Sequence, residues 1–365
     1  MAQIGVENLR KVFNDFAAVQ NSTFTIENGT FFVMLGPSGC GKTTTLRMIA
    51  GLELPSEGRI LLDGEDVTFR RAAERDIAFV FQLFALYPHM NVAENVGFPL
   101  KCQGVPRNEV QAQVREAARL LRIEHLLSRK VSNLSGGDRQ RVALGRAIVR
   151  RPKAFLMDEP LGALDAELRA DMSEELRNLH DRIGATTVYV THDQLEAMSM
   201  ADRIAVMNHG VVEQIGAPQE IYDLPASLFV AEFVGSPPMN FIPFAGRLRP
   251  SDNFVQVGGA SVAIPEAREN GPSESLVLGV RPEHVSFADA APLRGRVFGT
   301  EYLGTTQIVT VDIEQGQIKA RLPSLASVRP GEVVGLAFKS DSLLVFDQAS
   351  GRAMRSTLHE GQTHV

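Results

Sequence analysis

The sequence predicts an α/β domain with an inserted helical lobe, followed by a small all-β domain. Three observations carry this. Short apolar runs alternate with helical patterns from about residue 1 to 235, the stretch from about 88 to 150 reads as mainly helical, and period-two alternation takes over after Gly235. The chain has 365 residues, which suits two or three domains. The last stretch, Arg352 to Val365, is short and polar and reads as a frayed tail, so the expected division is 1–235, 236–350 and 351–365.

In the first part the apolar runs are Thr30 to Leu35, Ala154 to Met157, Thr187 to Val190 and Ile204 to Met207. Strands separated by helices predict a parallel sheet. Leu168, Met172, Leu176, Leu179 and Ile183 recur at helical spacing, with Asp165 placed to cap their helix. A helix beginning after Asn108 would carry Val110, Val114, Ala117 and Leu121 on one face. In the second part Val309, Val311 and Ile313 alternate with Ile308, Thr310 and Asp312 before the turn-like Glu314 to Gln317. Val334, Leu336 and Phe338 repeat the pattern, as in a small barrel or sandwich.

Composition narrows the function. Apolar residues make up 44% and charged residues 22%, as in ordinary globular proteins. The net charge of −6 argues against a chain held to nucleic acid by bulk charge. Cys40 and Cys102 are too few for a disulfide framework and suit a reducing compartment. No apolar run approaches the roughly 18 to 20 residues that span a bilayer, and Met1 to Phe13 lacks the apolar core of a secretory leader. A soluble intracellular protein is expected, held at any membrane by a partner.

The chemistry starts at Gly36-Pro37-Ser38-Gly39-Cys40-Gly41-Lys42-Thr43, which fits the phosphate-loop pattern G-x-x-x-x-G-K-[ST]. Glycines let successive N–H groups converge on phosphate oxygens, and the helix that follows adds its positive end. Lys42 supplies a point charge, the Thr43 hydroxyl can ligate Mg²⁺, and Thr44 continues the loop into the helix Lys42 to Ala50. A Gly-rich turn is the bland alternative, but the preceding apolar run and the following helix favour nucleotide binding. The Cys40 thiol, set between two loop glycines, is expected close to bound phosphates. Phe155 to Glu159 is an apolar strand ending in two acids. Alone it would be a solvated turn; beside a phosphate loop, Asp158 can hold the metal and Glu159 can polarise water. Leu134-Ser135-Gly136-Gly137 precedes a helix containing Val142 and Ile148, and alone could be merely a helix start.

Taken in order with Gln82, Ala163-Leu164-Asp165 and Thr191-His192-Asp193, these segments resemble the nucleotide-binding subunit of ATP-binding cassette (ABC) transporters. The resemblance covers residues 1 to about 235. It implies a P-loop ABC ATPase in which Lys42, Glu159 and His192 act catalytically. Thr43, Gln82 and Asp158 would serve the metal, while Ser135, Gly136 and Gly137 would cap the ATP of a second copy. Phe13 falls where the family stacks an aromatic on adenine, although a buried structural Phe would read the same. Gly235 to Phe241 and Gly279 to His284 look like parts of the OB-like (TOBE) barrel of carbohydrate importers of the maltose and glycerol-phosphate type. Spermidine, iron and sulfate importers carry related domains, so a non-sugar solute is the alternative.

The family further implies ATP and Mg²⁺ as cofactors, two membrane-spanning permease subunits docked near Leu83, Phe84 and Leu86, and an extracytoplasmic solute-binding protein. It implies a peripheral position on the cytoplasmic face of the membrane and no nucleic-acid partner. Rival P-loop classes fit less well. Repair ATPases need long heptad insertions, ribosome-associated ones carry two cassettes, and kinases or GTPases leave Leu134 to Gly137 unexplained. Two positions depart from the family. Asp138 replaces the Gln that commonly ends the signature, and its carboxylate would repel polyphosphate. Gly162 replaces a Ser in the loop after the acidic pair, which loosens that backbone.

Overall fold

Four strands and a helix open the chain: β1 (Ile4–Phe13), β2 (Phe16–Ile26), β3 (Phe31–Leu35), α1 (Lys42–Ala50) and β4 (Glu57–Leu62). β5 (Glu65–Asp66) and β6 (Ile77–Val80) follow, then the helices α2 (Val92–Cys102), α3 (Arg107–Leu120) and α4 (Gly136–Ile148). The chain returns to the sheet through β7 (Ala154–Asp158), α5 (Ala166–Ile183), β8 (Thr186–Thr191), α6 (Gln194–Met200), β9 (Arg203–Asn208) and β10 (Val211–Gly216). The structure is a computed structural model that describes residues 2–162, 164–271 and 275–360. Its contacts divide the chain into two units, residues 1–218 and 219–365.

In the first unit a six-stranded sheet has the order β10-β9-β3-β8-β7-β6. All its pairs are parallel except β9 with β10. The four apolar runs of the sequence stand side by side in it. β3, β7 and β8 are buried at every residue, as strands covered on both faces must be. Alternate residues face opposite ways. Phe32 and Met34 join a core that α1 shares through Leu46 and Ile49, whereas the Phe31 ring meets His180 and Tyr189.

That core is closed by something the sequence reading did not predict, an antiparallel sheet of order β2-β1-β4-β5. Register shifts explain why it was hidden. The buried residues Ile4 and Val6 keep period two, but the pairing slips before Leu9, where Asn8 takes φ +50°. The helical insert is α2, α3 and α4. Val110, Val114, Ala117 and Leu121 are all buried, and a β-carbon on Gly97 would lie 3.0 Å from Val110, so α2 and α3 pack closely there. α3 begins at Arg107, directly after Pro106 and slightly ahead of the expected start.

The second unit opens with α7 (Pro218–Asp223, its first residue at the division) and α8 (Leu228–Phe233). Its strands are β11 (Asn240–Ala245), β12 (Phe254–Val257), β13 (Ala260–Ala263), β14 (Ser275–Val280), β15 (Val285–Phe287) and β16 (Leu293–Tyr302). β17 (Thr306–Ile313), β18 (Gly316–Pro323), β19 (Val333–Phe338) and β20 (Leu344–Asp347) complete it. They form sheets β11-β14-β20 and β15-β19-β16-β17-β18 and the ribbon β12-β13. Val309, Val311, Val334 and Leu336 point into one apolar core, in line with their alternation. The helices that the sequence groups with residues 1–235 belong here instead, because Ala231 of α8 packs with Met239, Val277, Leu344 and Phe346.

Residues 351–360 are not a frayed tail. Ala353 bridges to Phe346, Ser356 bridges to Ala267, and Met354 is 5% exposed in the core. The segment looks polar in sequence because few apolar residues anchor it: Met354, with Ala353 and Leu358 packed beside a second cluster. Residues 361–365 lie outside the described residues. Met354→Ala should lower unfolding stability by about 2 kcal/mol or more, read by denaturant titration. An unchanged midpoint would mean that the segment is not anchored.

Candidate functional site

The loop between β3 and α1 is fixed by close backbone approach. A β-carbon on Gly36 would lie 2.3 Å from the Met207 carbonyl oxygen, and one on Gly41 (φ +103°) 2.4 Å from that of Ala18. Glycine is therefore required at both positions. Pro37, Ser38 and Gly39 form the more open crest, while Lys42 is buried and Thr43 and Thr44 are half-buried at the start of α1. Lys42 folds back over the loop, its Nζ donating to the carbonyls of Gly36 (2.7 Å) and Pro37 (2.9 Å). A cation so held, above a helix start, is a ready anion receptor.

The Cys40 side chain is 3% exposed and belongs to the core shared by the two sheets, with its Sγ 3.8 Å from Lys42 Nζ, and burial pushes its thiol up. The sulfur is shielded from solvent beneath the loop, on the inner side of the Lys42 ammonium.

Thr43 Oγ1 donates to Asp158 Oδ1 at 2.7 Å, tying the loop to the end of β7. Burial pushes the Asp158 carboxyl up, against the opposing pull of that hydrogen bond, Arg47 and Lys42. A hydroxyl and a buried carboxylate are hard oxygen donors, the set that Mg²⁺ prefers. Among the described residues no group of three His, Cys, Asp or Glu could hold a metal.

One residue on, Glu159 takes φ +43°, a left-handed conformation costing about 1 kcal/mol, and its N–H donates to Val190 of β8 at 3.1 Å. The turn aims its carboxylate between two partners. Oε2 accepts from Gln82 Nε2 at 3.1 Å, and Oε1 lies 3.3 Å from His192 Nδ1. Gln82 follows β6 and His192 follows β8, the two neighbours of β7, so the parallel sheet itself assembles this trio. Gly162 sits in the same turn. A β-carbon there would meet nothing closer than the Glu159 carbonyl at 3.4 Å, so neither packing nor φ requires glycine.

Among the described residues no hydrogen bond or ion pair joins Ser135, Gly136, Gly137 or Phe13 to Lys42 or Glu159. Ser135 caps α4 by accepting the Asp138 N–H at 3.2 Å, and Gly137 packs close to Leu168 of α5. Phe13 is 43% exposed at the β1–β2 hairpin, with Lys11 Nζ 4.7 Å above its ring, so the buried structural alternative is set aside. Leu83 is 82% exposed, whereas Phe84 and Leu86 are half-buried.

The supporting residues were not foreseen. Arg146 of α4 donates to the carbonyls of Phe84 (2.8 Å) and Ala85 (2.6 Å), pinning the Gln82 loop to the helix that Ser135 caps. Arg169 joins the Leu164 carbonyl (2.9 Å) to Asp193 (3.2 Å), beside His192. Beneath them Glu196 accepts from Tyr189 and Thr191 at 2.7 and 2.8 Å, its carboxyl pushed up by burial. Arginines in helical patterns give no sequence signal for such roles, because most lie on solvated faces.

Residues 19–162 match the ABC transporter family, residues 235–285 a MalK OB fold domain and residues 278–346 a TOBE domain. The trehalose/maltose import ATP-binding protein MalK of Thermococcus litoralis is 46% identical over 97% of this chain and its own whole length. The chain belongs to the ATP-binding subunits of ABC transporters. The trehalose import protein SugC of Mycobacterium tuberculosis is 44% identical, covering 96% of this chain and 98% of its own. The sn-glycerol-3-phosphate import protein UgpC of Paraburkholderia xenovorans is 45% identical, with 96% and 99% covered. Among solved structures, a dimeric post-hydrolysis state of the cassette MJ0796 with ADP and Pi is 32% identical (TM-score 0.53), covering 59% of this chain and 98% of that one. These confirm the expected architecture, a P-loop ABC ATPase followed by a small β domain, and with it nucleotide binding.

The inward Cys40 sulfur makes a labelling prediction. In the unliganded protein a maleimide should modify exposed Cys102 at least ~10-fold faster than Cys40, read by peptide mass spectrometry. Faster labelling of Cys40 would put its thiol at the loop surface.

Proposed function

We propose that the chain hydrolyses ATP as one of two identical subunits and powers import of a sugar or sugar derivative through a membrane permease. The observation that carries the reading is the Glu159 carboxylate, held between Gln82 and His192 one residue beyond the Thr43–Asp158 bond. The names of the MalK, SugC and UgpC relatives support the solute class. The GgtA protein of Synechocystis, 43% identical, is named for osmoprotective compounds, which keeps a wider range of small solutes as the second reading.

In this mechanism Lys42 exchanges its loop carbonyls for phosphate oxygens, and the backbone N–H groups of Gly39 to Thr43 cradle the same anion. Thr43, Asp158 and Gln82 would hold Mg²⁺, which neutralises phosphate charge when bound. Glu159 accepts a proton from the attacking water at its carboxylate, and His192 orients that carboxylate through Nδ1. Phe13 stacks on the adenine. Ser135, Gly136 and Gly137 of the second copy cover the outer phosphate, so that ATP closes the pair and hydrolysis releases it.

Leu83, Phe84 and Leu86 would meet the two permease subunits, and an extracytoplasmic solute-binding protein would deliver the cargo. Among the described residues no helix is long and apolar enough to cross a membrane, so the permease would hold the chain at the cytoplasmic face.

Glu159→Gln keeps size and hydrogen bonding but cannot take the proton. Turnover in the assembled complex should fall about 10²- to 10⁴-fold while ATP still binds. Unchanged turnover would move the base to another residue.

A further inference from the structure

Asp138, the residue that departs from the family signature, occupies a definite place. The Ser135 hydroxyl donates to Asp138 Oδ2 at 2.8 Å while its oxygen accepts the Asp138 N–H, so the hydroxyl proton is committed within the chain. The carboxylate is incompletely neutralised. Arg141 Nη1 lies 3.5 Å from Asp138 Oδ1, whereas its Nε and Nη2 approach Glu175 Oε2 at 3.1 and 3.0 Å. Two acids therefore share one arginine, and Glu175 holds the nearer side of it. A hydrogen bond from a hydroxyl to a carboxylate is among the stronger kinds, so releasing Ser135 carries a cost.

We propose that Asp138 restrains ATP-driven closure of the pair by holding the Ser135 hydroxyl away from the partner's nucleotide and by setting a negative charge beside it. The inference rests on the reading that Ser135 covers the outer phosphate of the second copy. To make that contact the hydroxyl must turn from one anion to another, and the carboxylate left behind repels the phosphate it now faces. Asp138 is a positioning residue acting through Ser135. Glu175 contributes indirectly, by drawing Arg141 away from Asp138. The consequence is a chain that needs more ATP to close than one with an uncharged residue at the same position.

The test uses the full-length chain carrying Glu159→Gln, with Mg²⁺ and ATP. The ATP concentration for half-maximal dimerisation is read by light scattering. Asp138→Asn should lower it about 3- to 30-fold, and Asp138→Gln should do the same if the asparagine variant is poorly folded. Glu175→Gln, which frees Arg141 for Asp138, should shift it in the same direction by less. A purely structural role in capping α4 predicts no such effect from Glu175. Ser135→Ala should raise the concentration and shrink the effect of Asp138→Asn to what the carboxylate's repulsion of the phosphate supplies alone.

If Ser135→Ala raises it but the Asp138 variants leave it unchanged or raise it, the restraint is wrong and the two-copy reading stands. If the Asp138 effect is undiminished without the Ser135 hydroxyl, positioning through Ser135 is wrong. If Ser135→Ala changes nothing, or no ATP concentration yields dimer, the reading of Ser135 fails and takes the proposal with it.

Discussion

The Thr43–Asp158 hydrogen bond is the constraint on which the site depends, because it joins two segments 115 positions apart. Thr43 fixes the mouth of the glycine loop at the start of α1, and Asp158 ends the strand between β6 and β8. Once β7 is placed, its neighbours deliver Gln82 and His192 to the same sheet edge, and the left-handed turn at Glu159 aims a carboxylate between them. Parallel pairing is what makes this possible. Strands that run the same way release their following loops at one edge, so residues remote in sequence meet where charge must be managed.

Arginines, one buried and two half-buried, hold these loops to the frame. Arg75, 2% exposed, donates to the carbonyls of Met48 and Ile49 and so satisfies the C-terminal end of the helix whose other end faces the loop. Arg146 does the same for the backbone at Phe84 and Ala85, and Arg169 for Leu164. Burial pushes the pKa of Arg75 and of Arg146 down from the usual arginine value, yet a guanidinium stays protonated in proteins. Each therefore brings charge-assisted hydrogen bonds to carbonyls in loops that regular pairing leaves unsatisfied. A chain that fixes its loops this way can keep glycines at 36 and 41 without losing the shape of the site.

Much of this was legible in the sequence, and for physical reasons. Lys42 to Thr43, Asp158 and Glu159 stand next to fully buried strands, whose apolar runs are conspicuous, and the loop between them needs glycine for steric reasons that leave a pattern. The antiparallel sheet was not legible, because bulges near Leu9 break its periodicity and one face of β1 is polar. The inward turn of Cys40 escaped too, since spacing places a backbone and not a side chain. The supporting arginines were hidden for a related reason. Their bonds go to backbone carbonyls, and a carbonyl carries no sequence. At Asp138 the sequence announced a charge, and the geometry adds which hydroxyl it engages.

The loop hydroxyl and the strand-end carboxylate can manage phosphate charge only if together they serve the metal. Electron paramagnetic resonance titration of Mn²⁺, in the presence of a non-hydrolysable ATP analogue, measures this directly. Asp158→Asn and Thr43→Val should each weaken Mn²⁺ binding to the nucleotide complex about tenfold or more, while metal-free nucleotide still binds. Mn²⁺ binding that is unchanged in both variants would contradict the account.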